Sequence, residues 1–169
     1  MPSCGSIHTC LLCSNGSAIA FGSNFVGECK IPELPEKVSY TQAACGNRHT
    51  VLLRGDGKAV ACGENTSGQC DIPDHDIGTT YTQVAAGCFW TLLPQSNNKI
   101  VMVGFVPWRH KVKLPPLPSG IRYMQVAAGQ DFLLLLRSDG SVFAAGSNPL
   151  IGQIPVPEKR VVYTQADNG

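Results

Sequence analysis

The sequence has few charges and no long hydrophobic run. Charged residues make up 15% of the 169 residues and the formal net charge is +1. No excess of one sign recommends nucleic acid or an anionic membrane surface as a partner. The longest apolar runs, 132–136 and 100–108, fall short of the roughly 18 residues that a membrane-spanning helix requires. We therefore expect no transmembrane segment, no secretory leader before the repeats, and protein rather than nucleic acid as the partner.

The motifs of familiar enzymes are also missing. The chain contains no G-x-S-x-G elbow, no H-E-x-x-H pair, no P-loop and no G-x-G-x-x-G turn. Carboxylates such as Asp56 and Asp139 are accounted for by predicted turns, and Glu33 and Glu36 by predicted surface loops. We expect no catalytic residue, no enzymatic activity and no cofactor.

The eight cysteines lack the spacing of a zinc site. In the single C-x-x-C pair, Cys10 and Cys13 lie three positions apart on a predicted strand, so their side chains point to opposite faces. Most of the others occupy repeat positions that elsewhere hold small apolar residues. We expect free thiols packed as small hydrophobic groups, without a bound metal or a disulfide. This favours a reducing, intracellular location, the cytoplasm or an organelle. Cys29 and Cys70 recur at one loop position and are the remaining candidates for redox sensitivity.

A fourfold repeat dominates what is present. The segments YTQAACG, YTQVAAG, YMQVAAG and YTQADNG begin at Tyr40, Tyr81, Tyr123 and Tyr163. A glycine closes each of these motifs, and Gly5 occupies the same position near the start of the chain. From Gly5 through Gly46 and Gly87 to Gly129, the spacings are 41, 41 and 42 residues. A period of this size indicates a repeat architecture.

Each repeat contains the signals of short antiparallel strands. Asn15-Gly16, Asp56-Gly57 and Asp139-Gly140 lie between apolar runs, where Gly16, Gly57 and Gly140 favour a two-residue type I′ hairpin. The YTQ segment adds a strand before this hairpin, and a Gly/Asn/Pro-rich loop with room for a short fourth strand follows it. Three or four strands per repeat is the size of a β-propeller blade, so the predicted fold class is all-β.

The order of residue types resembles the RCC1 repeat, in the compact form of arrays related to HERC-type proteins. The shared pattern is His-Thr, an apolar strand, Asp-Gly, a second strand ending in Gly, and Asn-x-x-Gly-Gln. It covers nearly the whole chain through CGSIHTCLLCSNGSAIAFGSNFVGECKIP, CGNRHTVLLRGDGKAVACGENTSGQCDIP and, more loosely, AGQDFLLLLRSDGSVFAAGSNPLIGQIP. The resemblance implies a β-propeller. It implies function only as a class, since such propellers serve as exchange factors, chromatin binders, ligase-associated modules and scaffolds.

We expect one domain over residues 1–169, with repeats at about 4–44, 45–86, 87–128 and 129–169. The phase of the repeats suggests four closed blades, in which a strand at 163–166 pairs with the blade formed by residues 7–22. The alternative is an open arc. The residues to which the repeat assigns structural roles are His8, His49, Gly16, Gly57, Gly140, Tyr40, Tyr81, Tyr123 and Tyr163. Trp90 and Phe132 replace the histidine in repeats three and four, which indicates a buried, hydrogen-bonded histidine rather than a ligand or base.

Repeat three departs from the template at GFVPWRHKVKLPPLP, residues 104–118. The segment brings aromatic and basic residues together in an otherwise neutral chain, and Trp and Arg are enriched at interface hot spots. The predicted partner-binding residues are Phe105, Trp108, Arg109, Lys111 and Lys113. The alternative, weighed equally, is that Trp108 packs back onto the propeller.

Two functional hypotheses follow. The first is a non-catalytic interaction or scaffold module, a peripheral accessory subunit of a larger complex. An organellar or photosynthetic assembly is among the hosts that the resemblance suggests, because compact arrays of this type are plentiful in algal protists. The second is a regulatory or substrate-recognition domain of a HERC-like ubiquitin ligase, or a small-GTPase exchange factor. The protruding hairpin and loops that RCC1-type exchange needs have no match in this sequence.

Overall fold

The structure is a computed structural model that describes residues 2–108, 114 and 116–147. These residues form twelve strands and no helix. The strands are β1 (Pro2–Cys4), β2 (His8–Leu12), β3 (Ala18–Gly22), β4 (Tyr40–Cys45), β5 (His49–Arg54), β6 (Ala59–Gly63), β7 (Ala85–Ala86), β8 (Trp90–Pro94), β9 (Ile100–Gly104), β10 (Tyr123–Ala128), β11 (Phe132–Arg137) and β12 (Val142–Gly146). The all-β prediction is confirmed.

The strands form four antiparallel sheets of three, one for each repeat. Sheet I contains β1 to β3, sheet II β4 to β6, sheet III β7 to β9 and sheet IV β10 to β12. The registers are equivalent: His8, His49, Trp90 and Phe132 face Gly22, Gly63, Gly104 and Gly146. The described residues contain no fourth strand in any sheet, so the Gly/Asn/Pro-rich segments of the first two repeats are loops.

The hairpin turns differ from the predicted type. A type I′ turn needs a positive φ at both central residues, but in the second sheet only Gly57 has one, at 81°. The Gly57 N–H donates to Arg54 O and the Arg54 N–H donates to Lys58 O. This is a three-residue loop, a type I turn followed by a left-handed residue. Asp56 stabilises this turn because its Oδ1 accepts a hydrogen bond from the Lys58 N–H at 3.2 Å.

Consecutive sheets pack face to face, with an apolar core at each junction. Cys10 of sheet I meets Leu52 of sheet II, and Val51 of sheet II meets Leu93 of sheet III. The largest core joins sheets III and IV. The alternation of side chains along each middle strand explains this arrangement, because one face packs against the preceding sheet and the other against the following one.

Sheet I differs from the sequence prediction in the residues that form its first strand. Residues before Cys4 form β1, and Pro2, Ser3 and Cys4 pair with Leu11, Cys10 and Thr9. The edge of β2 that was predicted to take a C-terminal strand is therefore occupied over these residues by β1. The predicted strand itself, which includes Tyr163, lies outside the described residues.

Candidate interaction surface

One end of the four sheets carries a set of equivalent turns, which we call the turn surface. It consists of the turns at residues 5–7, 46–48, 87–89 and 129–131 and of the residue that follows the third strand of each sheet. Backbone hydrogen bonds of 2.8 to 3.0 Å fix each such residue to its turn. The four pairs are Ser23 with Ile7, Glu64 with Arg48, Phe105 with Phe89, and Ser147 with Asp131. The turn surface is thus held rigidly by the sheets.

A cavity of about 570 Å³ opens between these turns. It is lined by Cys4, Gly5, Ser6, Cys45, Gly46, Asn47, Ala86, Gly87, Cys88, Ala128, Gly129, Gln130 and Phe132. Its glycines have no room for a side chain, since a Cβ at Gly46 would lie 2.3 Å from His49 Cε1 and one at Gly87 would lie 2.2 Å from Trp90 Cε2. Because each turn lies so close to the aromatic ring of His49 or Trp90, these turn positions require glycine.

Exposed apolar side chains of the turn surface belong to sheets I and III. Phe105 is 59% exposed and its neighbour Phe89 is 37% exposed, whereas the equivalent pair in sheet II is Arg48 and Glu64. In sheet I, Ile7 is exposed and Phe25 in the adjacent loop is 93% exposed. Phe105, which the sequence analysis assigns to partner binding, is thus exposed, and its binding role stays a prediction. Phe89 was missed, although its place one residue before the histidine position made it recognisable.

The structure corrects the assignment of Trp108 to the partner-binding set. Its side chain is 2% exposed and lies edge-to-face on Trp90, with ring centroids 5.7 Å apart. Both rings belong to the core between sheets III and IV. Burial of so large an apolar surface stabilises the fold, so the alternative interpretation is correct for this residue. Arg109, Lys111 and Lys113 lie outside the described residues.

Polar side chains connect the first three sheets through a repeated set of hydrogen bonds from histidine to threonine to a loop carbonyl, which we call the relay. Thr50 of sheet II donates to Glu28 O of the preceding loop at 2.7 Å, and His8 Nε2 of sheet I lies 2.8 Å from the Thr50 hydroxyl. In the next junction Thr91 donates to Gln69 O at 2.8 Å and lies 3.1 Å from His49 Nε2. The histidines are thus buried hydrogen-bonding residues, and their main partner is the threonine of the following sheet.

The junction between sheets III and IV replaces this relay with apolar contacts. Trp90 stands at the histidine position, and Leu133 stands at the threonine position of the following sheet. Because Leu133 needs no carbonyl acceptor, the loop of repeat three can supply Val106 and Trp108 to the core instead. The departure of residues 104–108 from the repeat is therefore explained by packing at this junction.

The pKa values of His49 and Glu28 are both shifted in the folded protein. Burial lowers the pKa of His49 to about 4, with the nearby His8 contributing, so its ring is neutral near pH 7. Burial acts to raise the pKa of Glu28, but hydrogen bonds from the Ser23 hydroxyl and from backbone N–H groups hold it below its ordinary value. The side chain of Glu28 is fully buried and accepts from Ser23 Oγ at 2.7 Å and from the Val26 N–H at 3.0 Å. It therefore shapes the loop that offers Glu28 O.

The repeated tyrosines hold the loops between sheets. Tyr40 and Tyr81 are buried, and each hydroxyl donates to a proline carbonyl at 2.7 Å, Pro32 and Pro73 respectively. Tyr123 is partly buried against the core between sheets III and IV. Leu114 and residues 116–118 line a second cavity of about 460 Å³ with Tyr123. The Pro-rich segment thus lies against the fold.

The two loop cysteines do not have the environment of reactive thiols. Cys29 Sγ donates to Ser23 O and Cys70 Sγ to Glu64 O. Burial raises the pKa of both, to about 11 for Cys70.

In the part of the chain that the structure describes, no group of three or more His, Cys, Asp or Glu residues could hold a metal ion. None of the described residues form a helix of the length and apolarity needed to cross a bilayer.

Known proteins share this architecture. Residues 40–69 match the family model of the regulator of chromosome condensation (RCC1) repeat, and no curated protein matches the sequence. The fold is similar to human WBSCR16, with 20% identity, a TM-score of 0.72 and coverage of 86% of this chain and 47% of that one.

Two yeast structures are also similar. Prp20p from Saccharomyces cerevisiae, described with its binding properties to Gsp1p and histones, gives 20% identity, a TM-score of 0.69 and coverage of 92% and 44%. Yeast RCC1 (Prp20) bound to Kap60 gives 21% identity, a TM-score of 0.66 and coverage of 92% and 43%. The chain spans less than half the length of each of these structures.

Four equivalent three-stranded sheets, packed in chain order around a common set of turns, define a repeat protein of the β-propeller type. Residues 40–69 match the RCC1 repeat in sequence, and the fold of the described residues is similar to that of RCC1 structures.

Proposed function

We propose that the chain is a non-catalytic protein-interaction module, a peripheral accessory subunit of a larger assembly, and that it binds its partner through the turn surface. The observation that supports this proposal is the exposure of Phe89 and Phe105 side by side. The Phe105 N–H donates to Phe89 O at 2.9 Å, so the backbone holds the two residues together. Neither ring belongs to a core between sheets.

The physical argument rests on rigidity and desolvation. Two exposed aromatic side chains on a fixed scaffold lose little conformational entropy on binding and remove a large apolar area from water. Loops on a rigid scaffold are common sites of binding. The similar protein Prp20p binds Gsp1p and histones, which is consistent with a protein partner here. An organellar or photosynthetic complex remains one of the hosts to be tested.

The test replaces the two phenylalanines with the residues that stand at the equivalent positions of sheet II. Phe89→Arg with Phe105→Glu copies the sheet II pair, Arg48 and Glu64, onto sheet III. We expect the affinity for a partner purified from the native source to fall by about 30-fold or more, on the order of 2 kcal/mol, with an unchanged melting temperature.

The matched control is Ile77→Ser. Ile77 is fully exposed in the loop that contacts Lys99 through Asp76, near the hairpin turns at the other end of the sheets. It should leave partner affinity unchanged. A folded Phe89/Phe105 variant that binds with the original affinity would remove the turn surface as the binding site.

The second candidate, a regulatory domain in a small-GTPase or HERC-like ligase system, is favoured only by the likeness to Prp20p. Purified chain added to the small GTPases of the native source would accelerate release of bound fluorescent GDP if this candidate is correct. Unchanged release rates, together with a partner that is neither a GTPase nor a ligase, would support the accessory subunit.

A further inference from the structure

The outer strand of sheet I, β3, has backbone groups that face away from the sheet. The Ser23 N–H donates to Ile7 O at 2.9 Å, and hydrogen-bonded residues alternate along an antiparallel pair. Every second residue before Ser23 therefore bonds to β2, whereas the N–H and C=O groups of Ala18 and Ala20 and the Gly22 N–H face outward. Among the described residues, no hydrogen-bond partner is found for these groups. They form an edge to which another strand can be added.

The side chains beside this edge are apolar and exposed. Ala18 and Ala20 pack into the core between sheets I and II, so Ile19 and Phe21 point to the opposite face. Ile19 is 52% exposed and Phe21 is 53% exposed. The strand contains no charged residue and no proline, which are the usual devices that stop an edge strand from pairing with another chain. The edge of β3 is therefore open to a second strand.

The equivalent strand of sheet II does not combine these features. Val60 and Cys62 occupy the positions of Ile19 and Phe21, and both are only partly exposed. Val60 packs into the core between sheets I and II, and Cys62 Sγ donates to Glu28 O at 3.6 Å. These side chains take part in the junction with the preceding repeat. Sheet II thus provides an internal control for any property of the β3 edge.

The edge of β3 is complementary to itself. When a two-fold axis passes beside Ala20, the β3 strands of two copies run antiparallel and each Ala20 faces the other. These two residues exchange both of their hydrogen bonds, and the Gly22 N–H of each copy can donate to Ala18 O of the other. In this register Ile19 of each copy lies opposite Phe21 of the other, at a position where side chains are closest. A β-branched residue opposite an aromatic one stabilises a strand pair.

We propose that the chain forms a two-fold dimer through β3, in which sheet I of each copy contributes three strands to one continuous antiparallel sheet. The register is specific, because a shift by two residues in either direction would place Phe21 opposite Ser17 or Ile19 opposite Ser23. A contact of this symmetry is closed at two copies. It does not involve the turn surface, so the dimer does not rest on the function proposed above.

The first experiment measures the mass of the full chain by sedimentation velocity over a range of concentrations. We expect a reversible equilibrium between monomer and dimer. Ala20→Pro removes the N–H at the centre of the pair, and proline is tolerated in an edge strand whose N–H faces away from the sheet. It should raise the dissociation constant by about tenfold or more. Ala61→Pro, the same change at the equivalent position of sheet II, is the matched control and should leave the dissociation constant unchanged.

A pair of charged variants tests the register. In Ile19→Lys with Phe21→Lys, and in Ile19→Glu with Phe21→Glu, like charges face each other across the axis, so each variant alone should be monomeric. When the two variants are mixed, every lysine lies opposite a glutamate, and we expect the dimer to return. Both positions are exposed, so both variants should fold, and circular dichroism verifies this. Recovery in the mixture distinguishes a β3 pair from a dimer that was lost through unfolding.

The proposal has clear contrary outcomes. A parent chain that stays monomeric up to about 1 mM would overturn it, as would growth into open-ended oligomers. A dimer that persists in Ala20→Pro and in both charged variants would place the contact elsewhere and overturn it as well. The turn-surface variant Phe89→Arg with Phe105→Glu should dimerise like the parent, which separates this test from that of the proposed function; loss of the dimer in that variant would contradict a contact through β3.

Discussion

Replacement of Thr50 by valine tests the relay between sheets I and II. Valine has nearly the shape of threonine but cannot accept from His8 Nε2 or donate to Glu28 O. Thr50 is fully buried, so water cannot take over either role. The variant therefore leaves one donor and one acceptor unsatisfied in the junction.

The expected loss follows from those two groups. A buried polar group without its partner costs about 1–3 kcal/mol, and two groups lose their partner, so Thr50→Val should lower the free energy of unfolding by about 2–6 kcal/mol. Thr9→Val is the matched control. Thr9 occupies the same repeat position, but among the described residues its hydroxyl makes only a long contact of 3.8 Å with Cys4 Sγ. Its replacement should change stability by less than about 0.5 kcal/mol.

Urea unfolding monitored by tryptophan fluorescence measures both variants, because Trp90 and Trp108 are buried in a core between sheets. The difference between the two valine variants isolates the relay from the general effect of losing a hydroxyl. Equal losses in the two variants, or a Thr50→Val protein as stable as the parent, would refute the argument that the relay stabilises the junction.

Two further predictions concern pH and the aromatic core. The pKa of His49 is lowered from 6.5 to about 4 in the folded protein, so its contribution is complete above pH 6.5 and is lost as the pH falls from 6.5 toward 4, by about 3 kcal/mol. His49→Phe, which copies Phe132, should flatten this part of a plot of unfolding free energy against pH, and a parent protein whose stability is constant from pH 6.5 to 4 would contradict the prediction. Trp108→Ala should lower the free energy of unfolding by about 3–5 kcal/mol because it leaves a cavity beside Trp90. Phe105→Ala should change it by less than about 0.5 kcal/mol. Calorimetry that finds Phe105→Ala to be the less stable variant would contradict the assignment of Trp108 to the core.

The repeat made the sheets predictable because it encodes local structure. A glycine at the end of each third strand, an Asp-Gly or Asn-Gly turn and an apolar strand specify one hairpin without reference to its neighbours. The turn type was wrong because it depends on one residue more than the dipeptide. Arg54 pairs with Lys58 across three residues, and the sequence pattern does not count them.

The properties of the site depend on contacts between repeats, which the period alone does not reveal. Trp108 suggested an interface because its neighbours in the chain are basic, yet its position is decided by Trp90 and by the apolar face of sheet IV. A signal was present in the sequence. His8 and His49 are each followed, one repeat later, by a threonine, whereas Trp90 is followed by Leu133. Comparison of each repeat with the next, rather than with a template, would have found the junctions.

The two kinds of junction restrict how such an array can grow by duplication. A copy of repeat two inserted after itself would bring His49 against a second Thr50, and the new junction would contain the same polar hydrogen bonds. A copy of repeat three inserted after itself would bring Trp90 and Trp108 against a second Thr91, whose hydroxyl would find no carbonyl acceptor. Repeat two can therefore be multiplied without further change, whereas repeat three can be multiplied only together with a substitution at its threonine.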